Sequence, residues 1–319
     1  MTFTFKRGVR ENVPLLIGLA GGTGSGKTRS AMRLATGLSA GKPFAVIDTE
    51  AGRANHYAND FTFDHGDLRA PFTPEAYTAA IVAADEAHYP VVIVDSASHE
   101  WAGDGGILDM ADAEKQRMGG GENVAMAAWI KPKGSHKHMV TKLLQVRAHV
   151  ILCFRAEPKI EMVRNPETRR MEVVEKIGPG GFKGWLPVAE KNLPYELTAS
   201  FLLMAERPGV PIPIKLEEQM RAFFPLDRVI DEHAGELLAA WSAGGDLPAQ
   251  RRDDLAATLA ALASRGMKEQ DMAAYFGQPV TTRNQWKGLL AAALLAHPEM
   301  TPETLVQAAQ DKMREGVAE

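Results

Sequence analysis

The chain has 319 residues, a net charge of −4, 45% hydrophobic residues and 24% charged residues, the proportions of a soluble globular protein with a large core and room for an appendage. The acidic balance excludes a uniformly basic coat for nucleic acid, while leaving room for a local basic surface. Cys153 is the only cysteine, which excludes an intrachain disulfide and suits a reducing compartment, and no run of roughly 18 apolar residues exists to span a membrane.

Residues 1–8 lack the apolar stretch of a secretory signal. Residues 14–20 are continuously apolar and predict a buried strand, and residues 28–38 carry helical spacing. Between them Gly21, Gly22, Thr23, Gly24, Ser25, Gly26, Lys27 and Thr28 fit G-x-x-x-x-G-K-[ST], the phosphate-binding loop pattern. The chemistry accounts for the spacing. Glycines let the backbone curl and turn its N–H groups toward an anion, and a helix starting near Lys27 adds its positive end. Lys27 is placed to reach the β- and γ-phosphates of ATP, and the Thr28 hydroxyl to ligate magnesium.

Residues 43–47 predict a second buried strand ending in Asp48, Thr49 and Glu50. Ligands of open α/β sheets sit at the carboxyl ends of strands, so this acidic end points at the nucleotide. Glu50 is the candidate to position the attacking water, against the alternative of a solvated loop acid. A short strand is expected at residues 61–64. A helix is expected from Thr73 to about His88, with Thr73 as cap, Pro74 in the first turn and Glu75 favouring the dipole. Residues 90–95 then form an apolar strand ending in Asp95, about 65 to 70 residues after the loop, which is where a magnesium-binding acid is expected. Strands alternating with helices imply a parallel sheet.

Helices are expected at residues 107–118 and 122–130, the second broken by Pro132 and Gly134. Lys131, Lys133, His136, Lys137, His138 and Lys142 cluster beside Trp129. They suit either a phosphate backbone with a base stacked on the indole, or a solvated helix start over a core tryptophan. Residues 148–154 predict another buried strand holding Cys153, with Arg155 and Glu157 just beyond it. Arg155 suits a γ-phosphate, a contact across a subunit boundary, or an ion pair with an acid such as Glu157.

Residues 159–176 read as a hairpin turning at 165–168, followed by a Gly-rich loop at 177–185. Arg169 and Arg170 give its tip positive charge for DNA or for solubility. Residues 197–205 and 211–216 predict two antiparallel strands, residues 222–225 close the core, and residues 226–241 predict a helix. The 242–248 stretch reads as a linker, so the expected domains are a core at 1–246 and a helical domain at 247–319 built from Ala/Leu-rich helices.

With the loop at 21–28, the strand end at 46–50 and the strand at 91–96 in this order, the core resembles the RecA-type ATPases. The resemblance extends over roughly residues 15–225, with the motifs inside 15–160. It implies an α/β fold with a mostly parallel central sheet and antiparallel hairpin additions; the small C-terminal helical domain, read from its Ala/Leu-rich spacing, has no recognisable counterpart in that family. It also implies that Glu50 activates water, and that Tyr57, seven positions on, stacks on adenine. The chain looks most like short phage-encoded RecA-core proteins that anneal or recombine single-stranded DNA, a group often classed with AAA ATPases. RecA itself usually has glutamine at the place of Arg155. The resemblance implies a magnesium-dependent ATPase acting as a homo-oligomer on single-stranded DNA, in the cytoplasm of a bacterial or phage-infected cell. Catalytic roles fall to Lys27, Glu50 and Arg155, metal binding to Thr28 and Asp95, and DNA contact to Lys131, Lys133, Lys137, Arg169 and Arg170. The alternative is a nucleotide-gated adaptor that loads a protein partner through its C-terminal helices. A small-molecule kinase fits less well, because no arginine-rich lid is evident.

Overall fold

The computed structural model describes residues 13–165, 169–177 and 184–243. The expected helical domain at 247–319 lies outside the described residues, as do positions 166–168 of the hairpin turn and 178–183 of the following loop. The chain divides into two compact units. One holds residues up to Glu217 and Phe224–Ala243; the described part of the other is the short 3₁₀ turn Glu218–Phe223. All ten described strands belong to the first unit.

In chain order that unit runs β1 (Leu16–Gly21), α1 (Lys27–Leu38), β2 (Phe44–Asp48), β3 (Phe63–Asp67), α2 (Pro74–Glu86), β4 (Val91–Asp95), α3 (Ser98–Ala102), α4 (Ile107–Arg117), α5 (Ala125–Ala128) and α6 (Ile130–Leu143). It continues with β5 (His149–Pro158), β6 (Ile160–Arg164), β7 (Met171–Glu175), β8 (Trp185–Pro187), α7 (Leu193–Glu196), β9 (Ala199–Leu203), β10 (Ile212–Lys215) and α8 (Glu232–Ser242).

Six strands pair in parallel in the order β3-β2-β4-β5-β1-β9, and β10 joins β9 antiparallel at one edge. The inner strands β1, β2, β4 and β9 are buried along their whole length, as expected of a parallel sheet covered on both faces. On one face Ala45, Ile47, Val92, Val94, Val150 and Leu152 pack with Tyr77 and Ile81 of α2 and with Met139 and Leu143 of α6. Helix α1 lies against β1, β4 and β5 and pairs with α8.

The α1–α8 contact is close because glycines face each other. A Cβ at Gly37 would collide with the Glu232 carbonyl, and one at Gly235 with the Leu34 carbonyl. Arg33 of α1 adds a bidentate pair to Glu232 at 2.6–3.0 Å, which lowers the Glu232 pKa. Gly37→Ala is therefore expected to destabilise the fold by about 1–3 kcal/mol, the usual cost of overpacking, seen as a lowered melting temperature. An unchanged melt would show that the two backbones have room to separate.

Several boundaries differ from those the sequence suggests. The 61–64 strand appears two residues later as β3, where Phe63 stacks on Phe44 at 6.0 Å. Thr73 does cap α2, accepting from the Ala76 N–H at 3.2 Å. Pro132 and Gly134 break nothing: both lie inside α6. Pro132 is its third residue, in the first turn, where a missing N–H costs no helical bond. The break falls earlier, at Trp129, which joins α5 to α6. Helix α8 starts at Glu232 rather than 226, because Asp231 caps it by accepting from the Ala234 N–H at 3.0 Å. The preceding Ile230 N–H is drawn to the Gly209 carbonyl instead. The hairpin forms as β6–β7, and β9 and β10 pair antiparallel.

Candidate active site

The loop between β1 and α1 is shaped for an anion. Gly26 caps α1 in the left-handed region, with φ of +83°. A Cβ there would sit 3.0 Å from the Gly209 backbone nitrogen, so a side chain is excluded by both conformation and space. Among the described residues, the N–H groups of Gly22, Thr23, Gly24, Ser25 and Gly26 donate to no protein acceptor. Unpaired N–H groups at a helix start form an anion nest. Ser25 turns inward and donates to the Gly22 carbonyl at 2.8 Å. The Lys27 ammonium folds over the loop and donates to the carbonyls of Gly21 and Gly22, both at 2.9 Å.

Register gathers the last residues of β1, β2 and β4 and a stretch of β5 at one edge of the sheet. Gly21 of β1 lies beside Arg155 of β5, and Asp48 of β2 beside Asp95 of β4. The Thr28 hydroxyl donates to Asp95 at 2.6 Å. Hydroxyl and carboxylate oxygens are the ligands a hard cation such as magnesium prefers, so this pair fits the ion. Burial pushes the Asp95 carboxyl above the usual carboxylate range, with the Thr28 hydrogen bond opposing it.

Glu50 follows β2 and is clamped by two guanidinium groups, Arg53 at 2.7 Å and Arg155 at 3.0 Å. Arg155 therefore lies inside β5 rather than beyond it, because β5 runs on to pair Ala156 with Pro187 of β8. Its partner is Glu50; Glu157 pairs with Lys159. Thr28, Asp95, Glu50, Arg53 and Arg155 line one cavity of about 660 Å³, together with the glycine loop, Tyr57, His56 and Ser96. That volume lies in the range of small-molecule sites.

Sequence reasoning missed the group that shapes the Glu50 loop. Asp48 is buried and accepts from the N–H groups of Glu50 at 2.6 Å and Ala54 at 2.9 Å. An acid bonding the N–H two residues on is an Asx turn, and Asp48 before a Gly52 turn was its signal. Arg53 meets Glu50 across the turn at residues 51–52, a pairing that no helical spacing announces.

The short helix α3 was not expected, and its four leading residues each reach another element. Ser98 accepts from the Arg155 N–H at 2.9 Å, and His99 Nδ1 lies 2.8 Å from the Thr49 hydroxyl. Glu100 pairs with His136 of α6 at 2.9 Å, both buried, and Trp101 stacks on Trp129 at 5.9 Å. Burial, reinforced by the neighbouring Arg155, lowers the His99 pKa. His136 is thus a core pairing residue while His138 is exposed. Lys131, Lys133 and Lys137 are each exposed on α6; Lys133 and Lys137 share a face, while Lys131 lies toward Glu114 of α4. Arg169 and Arg170 are exposed where β7 begins.

A family model described as an AAA domain matches residues 14–180, which is more than half the chain. No curated protein matches it. Among the described residues, no helix is long and apolar enough to cross a membrane.

Proposed function

Because the chain belongs to the AAA domain family of nucleotide-binding P-loop ATPases, we propose that it binds ATP with magnesium, hydrolyses it, and acts on single-stranded DNA in recombination or annealing as a homo-oligomer. The observation that carries the ATPase reading is the set of strand ends: a free N–H nest, a Thr28–Asp95 pair at 2.6 Å and the Glu50 carboxylate all line one cavity.

In this reading the nest holds the phosphates, and Lys27 leaves its loop carbonyls to meet the β- and γ-oxygens. Thr28 and Asp95 would hold magnesium, which would supply positive charge to offset that of the phosphates. Glu50 accepts a hydrogen bond from the attacking water and aims it at phosphorus. Arg155 keeps Glu50 on the cavity side and offers a second guanidinium nitrogen to developing charge. Tyr57 lines the same wall and offers its ring to adenine.

The DNA part rests on Lys131, Lys133 and Lys137, each exposed on α6 of a net acidic chain, with Lys133 and Lys137 four residues apart on one helix face, and on Arg169 and Arg170 of the hairpin. The lone cysteine fits the cytoplasm of a bacterial or phage-infected cell. The test is phosphate release by the full chain with and without single-stranded DNA, with molecular mass measured alongside. The expected result is a turnover that DNA raises several-fold in an oligomeric species. Turnover no higher than that of Lys27→Ala would overturn the ATPase reading, and turnover indifferent to DNA its DNA part.

A further inference from the structure

We propose that the cleft between Trp101, Trp129 and the turn at 189–191 is a stacking site for an unpaired base of single-stranded DNA, an assignment that rests on the DNA reading above. The cleft has a volume of about 340 Å³ and is lined by Trp101, Trp129, Lys133, Ala189, Glu190 and Lys191. Its two indoles are half-buried and nearly parallel, with centroids 5.9 Å apart and planes at 26°. Lys133 Nζ stands 5.8 Å from the Trp129 ring centroid. Among the described residues, neither Lys133 nor Lys191 forms an ion pair. Glu190, the one acid on the wall, is buried and accepts from both nitrogens of Asn192.

Aromatic faces flanked by unpaired ammonium groups match a base and its neighbouring phosphates. Every base has a π-face, so such a site tolerates any sequence. An acidic peptide matches the lysines but not the paired rings. The exposed Lys137, four residues after Lys133 on the same helix face, extends the positive surface along α6. The position also suits the proposed cycle. Trp101 belongs to α3, whose His99 reaches Thr49, the residue before Glu50.

The experiment is an anisotropy titration of fluorescently labelled oligothymidylate with the full chain. Trp129→Ala is expected to weaken binding about tenfold without changing the salt slope, because it removes stacking and no charge. Trp129→Phe should restore most of the affinity, and Trp101→Ala should act in the same direction. Lys191→Glu, at an exposed position, should weaken binding several-fold and flatten the slope by about one phosphate contact. Circular dichroism melts separate lost stacking from lost fold. Oligonucleotide binding that the tryptophan and Lys191 variants all leave intact overturns the cleft and leaves the DNA reading standing. A wild-type chain that binds no oligonucleotide overturns both.

Discussion

Glu50→Gln is expected to bind magnesium ATP with near wild-type affinity and to hydrolyse it about 10²–10⁴-fold more slowly, the usual share of a general base. The geometry separates the two effects. Phosphate binding is assigned to the glycine loop, Lys27, Thr28 and Asp95, whereas the Glu50 carboxylate hydrogen-bonds Arg53 and Arg155. Glutamine keeps the carbonyl oxygen that can accept from Arg155, now at 3.0 Å from the carboxylate, so the loop keeps its anchor. What it loses is the negative charge that draws a proton from water. Binding of a fluorescent ATP analogue and phosphate release, measured on the same sample, read the two terms apart. Full turnover in this variant would return Glu50 to an ordinary loop acid held by its arginines. Loss of binding and turnover together would mean that the Glu50–Arg155 pair shapes the nest.

The parallel sheet was legible in the sequence because strands buried on both faces need no alternation: residues 14–20, 43–47 and 90–95 are apolar runs with nothing else to be. The phosphate loop was legible for a related reason. Its glycines answer a local steric demand, visible at Gly26 with its φ of +83°. What stayed hidden was set by position or by distant partners. Pro132 looks like a helix breaker until its place in the first turn of α6 is known, since only the helix boundary decides whether its missing N–H matters. Arg155 had a nearby acid in Glu157, yet pairs with Glu50 across 105 positions because β2 and β5 end on one side of the sheet. The Trp101–Trp129 stack likewise needs α3 and α6 brought together. Trp129 alone, with lysines around it, was compatible with a core residue or a surface one.

Reversing Lys131, Lys133 and Lys137 to glutamate together is expected to lower single-strand affinity by about 10²-fold or more at ~0.1 M salt, and to reduce the slope of log K against log salt by about 2. Each phosphate contact on a single strand contributes roughly 0.7 to that slope, so three lost contacts give the figure. The substitution changes the patch by six charge units on a chain whose net charge is already −4, and so also repels the backbone. Unfolding is a poor explanation for such a loss. The three side chains are exposed, and Lys131 and Lys133 stand in the first turn of α6, where acids interact better than lysines with the helix dipole. The variant should therefore melt no lower than wild type while losing DNA. The lost contact between Lys133 and the Trp129 ring, 5.8 Å apart, is worth only about 0.5–1 kcal/mol at an exposed site and cannot supply the whole effect. Unchanged affinity with an unchanged slope would make these lysines a solvated helix start and leave Lys191, Arg169 and Arg170 as basic candidates.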